Sequence, residues 1–385
     1  MRKSIFGVGI SRSLMLQLSI FVLLLSGIYL LSGFTFRLWG NHEEPGNADP
    51  VITGHMTVSE YGRCNRLPMP VVVKVFGISP YSDTSRQVGS FGYDEREVIR
   101  RTTVELAAYR EEHSKNPTRY TLHFILGLLV MSVVFCLFRT SGITPAARKS
   151  LYLLSLLVFG LGFNASPSPM GPVKDTLSLV GNIPELIHPR LFAILTYLVT
   201  GVIAHKFLCG WVCQLGVLQD LIFRLNRDGA DRMGIARQYR IPFAWSNTIR
   251  IIFFIATVAS SLLWALNVID SINPFAIFGG IALWWPGWVF AGGIMVMSLF
   301  VYRPWCHLFC PFGLLGWLFE KATIFRIRVN PNTCTSCEAC AEECPTHAMS
   351  AILHKQPTRP DCFSCGTCMN ACPNGSVTFG YHRVR

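Results

Sequence analysis

Residues 334 to 373 carry one cysteine pattern written twice. It reads Cys334-Thr-Ser-Cys337-Glu-Ala-Cys340-Ala-Glu-Glu-Cys344-Pro345 and then Cys362-Phe-Ser-Cys365-Gly-Thr-Cys368-Met-Asn-Ala-Cys372-Pro373. In a C-x2-C-x2-C-x3-C-P run, three closely spaced thiolates wrap one face of an iron–sulfur cube. The fourth, stopped by Pro, points away and ligates the cube of the other run. The spacing therefore predicts Cys334, Cys337, Cys340 and Cys372 around one [4Fe–4S] cluster, and Cys344, Cys362, Cys365 and Cys368 around a second. Zinc is the competing reading, since C-x2-C pairs also hold that ion. Zinc needs only four ligands, usually as two pairs, and explains neither the third Cys nor the trailing Pro in either copy. The predicted unit is a small α+β two-cluster domain at residues 326–385, one that must stay reduced during assembly.

The rest of the chain is too apolar for an ordinary soluble protein. Of 385 residues 51% are hydrophobic and only 15% charged, with a mean hydropathy of +0.39. Such a balance predicts a mostly α membrane protein with about six transmembrane helices ahead of the cysteine-rich tail. The first is Leu14 to Phe36, behind Arg2, Lys3 and Arg12, and reads as an N-terminal anchor (residues 1–40) rather than a cleaved signal. Five more apolar stretches run about Tyr120 to Leu137, Leu151 to Phe163, Leu191 to Leu208, Ile251 to Leu266 and Ile281 to Tyr302, within a core at 119–325. Trp284, Trp285, Trp288 and Trp305 flank the last of these, where interfacial aromatic belts lie.

Loop charges orient the spans. The loop at 139–150 holds Arg139, Arg148 and Lys149 without an acid, and the loop at 205–250 holds seven basic residues against three acids. Segment 164–190 has only Lys174 and Arg190, and 269–286 has no base. The positive-inside rule then places the N-terminus, both basic loops and the tail in the cytoplasm of a bacterial inner membrane. The segment 41–118 falls outside, as a small helical domain with two short helices around a turn and a charged helix near Tyr93 to His113. Residues 37 to 120 carry 11 basic and 11 acidic residues, so the net charge of +12 leaves no nucleic-acid footprint there.

A second cysteine pattern repeats inside the core. Lys206-Phe-Leu-Cys209-Gly-Trp-Val-Cys213-Gln-Leu-Gly216 matches Arg303-Pro-Trp-Cys306-His-Leu-Phe-Cys310-Pro-Phe-Gly313, each behind an apolar span. On a helix, i and i+4 share a face, so each pair presents two thiols together. Cys209, Cys213, Cys306 and Cys310 are candidate redox or additional metal residues: halves of a shared cluster, a dithiol couple, or structural thiols that pack as small hydrophobes.

Paired membrane C-x3-C motifs ahead of a two-cluster tail resemble the NapH/NosR-type, YccM-like membrane polyferredoxins, over roughly residues 120 to 385. Gln214 stands where that family usually has Pro; Pro311 keeps it. The resemblance implies electron transfer between membrane quinol and a redox protein on either side of the membrane. NosR-type members add a large flavin-binding domain; residues 37–120 are too short for it and lack a flavinylation context, so flavin is not implied. Haem is not predicted either, because His123, His188, His205 and His307 read as packing or headgroup residues. No catalytic residues stand out. The function expected is a membrane-bound iron–sulfur electron-transfer protein, as carrier or quinol-oxidising subunit. The alternative is an assembly or regulatory protein supplying reducing equivalents for maturing another metalloenzyme.

Overall fold

The computed structural model describes residues 50–53, 55–78, 84–114, 117–140, 143–163, 168–173, 176, 187–204, 206–226, 238–264, 268–278, 285–356 and 358–381. The anchor expected at 14–36 lies outside them. Packing divides the chain into two units, the smaller being Gly40–Leu122 with Ile183–Leu186.

In the smaller unit, α1 (Val58–Cys64) opens on a capping box. The Thr57 hydroxyl accepts from the Glu60 amide (3.3 Å), and the Thr57 amide donates to the Glu60 carboxylate (2.8 Å). Helix α2 (Met69–Phe76) stops at Gly77, whose φ of 63° needs a residue without Cβ strain. Helix α3 (Glu95–Ser114) closes over both. Val58, Tyr61, Val72, Val75 and Val98 form the core, and the Tyr61 hydroxyl meets Thr102 at 2.7 Å. Cys64 is exposed. Thr57→Ala is expected to weaken the first turn by about 1 kcal/mol. Amide hydrogen exchange in the full chain should then rise about fivefold over residues 58–61.

The larger unit is helical up to its tail. Its helices are α4 (Pro117–Thr140), α5 (Pro145–Ser155), α6 (Ile187–Ala204), α7 (Gln214–Asn226), α8 (Phe243–Trp264), α9 (Trp285–Met297), α10 (Pro304–Leu308) and α11 (Pro311–Phe319). Helix α5 runs on as a π-helical stretch, Leu156–Gly162, where Gly160 leaves room for the Phe278 ring. Among the described residues two segments are long and apolar enough to cross a membrane, Thr121–Thr140 and Phe243–Leu263, with mean hydropathies of 2.4 and 1.5. Ile194–Ile203 and Trp285–Met297 are shorter apolar helices. Of the stretch expected to span to Tyr302, the described helix covers only Trp285–Met297; residues 298–300 form a turn.

Two expectations are corrected. Residues 205–250 are not simply a loop. Leu215, Val217, Leu218 and Ile222 of α7 are buried along with Gln214, Gln219 and Asp220, and other elements supply partners for Asp220. Four charges counted toward cytoplasmic loops, Arg148, Lys206, Arg224 and Arg250, are buried inside the protein. Trp305 is buried as well, packed on Phe309 at 5.8 Å and Phe290 at 6.2 Å, and so is a core residue rather than a belt anchor.

The tail is an α+β domain. Strands β1 (Phe325–Val329) and β2 (Val377–Tyr381) pair antiparallel, Phe325 opposite Tyr381 and Val329 opposite Val377. Between them lie three short helices, α12 (Ala339–Glu342), α13 (Ala348–Leu353) and α14 (Thr367–Ala371).

Candidate iron–sulfur site and its seat

The two halves of the tail share a backbone path. Ser336 and Glu338 have φ of 55° and 56°; the matching Ser364 and Gly366 have 49° and 77°. Left-handed residues on either side of the middle cysteine curl each run around a centre, and a short helix starts just after the second of them. Cys344, Cys362, Cys365 and Cys368 line one cavity, roofed by Met349 and Phe363. The thiols of Cys334, Cys337 and Cys372 are the sulfurs whose charge acts on Cys340. Backbone amides donate to these sulfurs, Ser376 to Cys372 at 3.2 Å among them. Soft thiolate donors wrapped in N–H groups suit an iron–sulfur cluster, whose charge such bonds stabilise.

The second run is clamped onto the core. Asp361, fully buried just before it, accepts from Lys206 and from Arg250, the latter at 2.8 Å. Burial pushes its pKa up, but Lys206 and Arg250 outweigh that and hold it below the ordinary carboxylate range. Arg148 donates to the Cys365 carbonyl (3.2 Å) and the Thr367 hydroxyl (3.0 Å), and Trp211 to the Ser364 carbonyl (3.1 Å). Burial raises the Cys365 pKa, yet Arg224 and Arg148 bring it below that of an ordinary thiol. The Phe363 ring sits beneath Arg303 at 4.7 Å and Lys206 at 5.4 Å, the two basic residues that occupy equivalent places in the core repeat.

Asp220 is the second buried anion. It accepts from Arg224 and Arg303, each at 2.7 Å, and from the hydroxyls of Tyr302 (2.7 Å) and Tyr152 (2.9 Å). The sequence reading overlooked both Asp220 and Asp361. A signal was present: buried-length apolar segments carrying Lys206, Arg250 and Arg303 need acidic partners from somewhere in the chain.

The C-x3-C motif does not lie on one helix. Cys209 sits in a π-helical stretch, Leu208–Val212, and Cys306 in α10, whereas Cys213 and Cys310 are extended residues immediately before α7 and α11. Their φ/ψ values are −63°/114° and −70°/115°, so the two repeats match in backbone although Gln214 replaces Pro. Gly216 and Gly313 explain their own identity. A Cβ there would stand 2.6 Å from the Cys209 carbonyl oxygen and 2.7 Å from that of Cys306. His307 packs on Phe363 at 5.3 Å, and burial lowers its pKa to about 4. His123 packs against Phe159 and Phe163. His205 and the His188 side chain lie outside the described residues.

Three family models match: a 4Fe-4S binding domain at residues 187–228 and 4Fe-4S dicluster domains at 305–348 and 333–377. The chain is 24% identical to YccM of Escherichia coli (strain K12) over 44% of its own length and 49% of that protein. It is 26% identical to Protein NirI of Paracoccus denitrificans over 60% of its length, and to the ferredoxin-type protein NapH of Haemophilus influenzae over 47%. It spans only 35% of NirI and 58% of NapH. No solved structure matches. A mostly helical chain with iron–sulfur domains and relatives of these kinds supports a NapH/NosR-type polyferredoxin family.

Proposed function

We propose that this chain is a multi-pass protein of the bacterial inner membrane that passes electrons between the quinol pool and a redox partner through two [4Fe–4S] clusters. Cys334, Cys337, Cys340 and Cys372 hold one, and Cys344, Cys362, Cys365 and Cys368 the other; the N-terminus and tail are cytoplasmic. The observation that carries this reading is the clamp of Asp361, Phe363 and Cys365 on Lys206, Arg250, Arg303 and Arg148. It fixes a one-electron carrier against an apolar helical bundle rather than leaving it tethered. Exposed apolar side chains on α4 (Ile125, Leu128, Leu129), α6 (Leu195, Val199), α8 (Ile252, Ile255) and α9 (Val289, Val296) support a lipid-facing bundle.

The test is anaerobic mixing of the purified chain with reduced and oxidised quinone analogues while cluster absorbance and EPR are followed. Reduction or reoxidation of the clusters by the analogue is the expected result, and its absence at any quinone potential sinks the respiratory reading. In that event the alternative, an assembly or regulatory protein, gains; one relative is called Regulatory protein NosR, 26% identical over 174 residues.

A further inference from the structure

Cys209, Cys213, Cys306 and Cys310 take no part in the two tail clusters, yet they are the most closely matched feature of the core. Each pair has one thiol before a turn and one at the head of a helix. The helix-head sulfurs accept backbone N–H groups in the same way: Cys213 from Leu215 and Gly216, Cys310 from Phe312 and Gly313.

The repeats also hold each other. Arg303 of the second donates to the Cys209 carbonyl (2.7 Å) and the Gly210 carbonyl (3.1 Å) of the first. Lys206 of the first reaches the Gly313 carbonyl of the second at 3.3 Å. This exchange brings the pairs together. Cys306 Sγ lies 3.7 Å from Gln219 Oε1 on α7, and the charge of Cys213, Cys310 and Cys209 reaches Cys306.

Three buried donors on neighbouring residues have no hydrogen-bond partner, Gln214 Nε2, Gln219 Nε2 and Trp305 Nε1, and one acceptor, Gln214 Oε1, has none either. Buried cations stand around them, with Arg250 donating to the Cys306 carbonyl at 3.4 Å. A buried site rich in unused donors and positive charge calls for an anionic group bearing acceptor atoms. None of the four thiols is in a disulfide. Among the described residues no three His, Cys, Asp or Glu converge on one metal ion, and this holds equally for the tail cysteines, whose spacing suits a cube.

We infer that Cys209, Cys213, Cys306 and Cys310 form a single site, two ligands from each repeat, for a third [4Fe–4S] cluster. Its inorganic sulfides accept the orphaned N–H groups, and the Gln219 amide turns over to donate as well. The inference rests on the iron–sulfur reading of the tail only for the identity of the neighbouring cluster.

Iron, acid-labile sulfide and EPR on the anaerobically purified full chain test it. The expected wild-type content is about twelve irons, four per cluster. Cys213→Ser with Cys310→Ser should remove about a third of the iron and sulfide while the EPR of the tail clusters survives. Cys337→Ala with Cys365→Ala should spare the third cluster. A wild-type content of about eight irons, unchanged in the Cys213/Cys310 variant, overturns the site. Stoichiometric zinc or copper lost with those thiols overturns its iron–sulfur identity. Where the variant does not fold, the wild-type content decides alone. None of these readings depends on quinol, so an inert quinone analogue leaves this result untouched.

Discussion

Asp361→Ala is expected to be the most damaging single change outside the cysteines. The carboxylate is fully buried and is shared by Lys206 and Arg250, both buried themselves. Alanine removes the anion and leaves two cations without it in an interior that cannot solvate them. Breaking a buried ion pair from one side destabilises by about 3–5 kcal/mol, because the surviving charge keeps its desolvation penalty. The Glu320 carboxylate, 3.8 Å from Lys206, is the one other acid paired with it among the described residues. The expected result is a tail that comes off the core. Limited proteolysis should cut near residues 320–326 at least tenfold faster than in the wild type, and the thermal transition in detergent should fall. Asp361→Asn keeps the shape and one acceptor and should lie between. A tail that stays protected in Asp361→Ala would show that the ion pairs do not hold it.

Gly210→Ala should be nearly as severe, through sterics alone. An added Cβ would run into the carbonyl oxygen of Phe363, and backbone meeting backbone has no rotamer to yield. Overpacking of this kind costs about 3 kcal/mol, with the strain falling on the Cys362–Cys365 loop. EPR of the cluster ligated by that loop should be lost or shifted, while signals from the Cys334–Cys340 side remain. Gly201→Ala is the control. It lies within α6, a Cβ there meets nothing within 4 Å, and alanine favours helix by up to about 1 kcal/mol. Equal spectra for the two variants would mean that Gly210 does not set the loop.

How much of this was legible follows the range of the interactions. The tail was readable because its signal is local: eight cysteines and two prolines at fixed spacing leave little freedom. The core repeat was visible for the same reason, and Gly216 and Gly313 marked it correctly. The hidden part lies in long-range pairing. Nothing near Asp361 in sequence announces Lys206 or Arg250, which come from segments more than a hundred residues upstream. Hydropathy and loop charge also misassigned α7. They register that a residue is polar but not that it has a buried partner, and so Asp220, Arg224 and Gln219 looked like solvent-facing loop residues. Arg148 shows the same ambiguity. A lone arginine in a short basic loop reads as a topology marker, but it binds the Cys365 carbonyl and Thr367 across the molecule.

The clamp on the second cysteine run has a consequence for how such a protein is made. Trp211, Lys206 and Arg250 receive their partners from residues 361 to 364, which leave the ribosome only after every core helix has been synthesised. Until then Lys206 and Arg250 lack the carboxylate that they share in the folded protein, Glu320 standing 3.8 Å from Lys206. Closure of contacts this distant in sequence is slow, and Asp361 and Phe363 flank Cys362, the first cysteine of the run proposed to hold a cluster. Cofactor delivery would then be the step that lets the helical bundle close, and iron starvation should leave a full-length chain that is inserted yet protease-sensitive in its core.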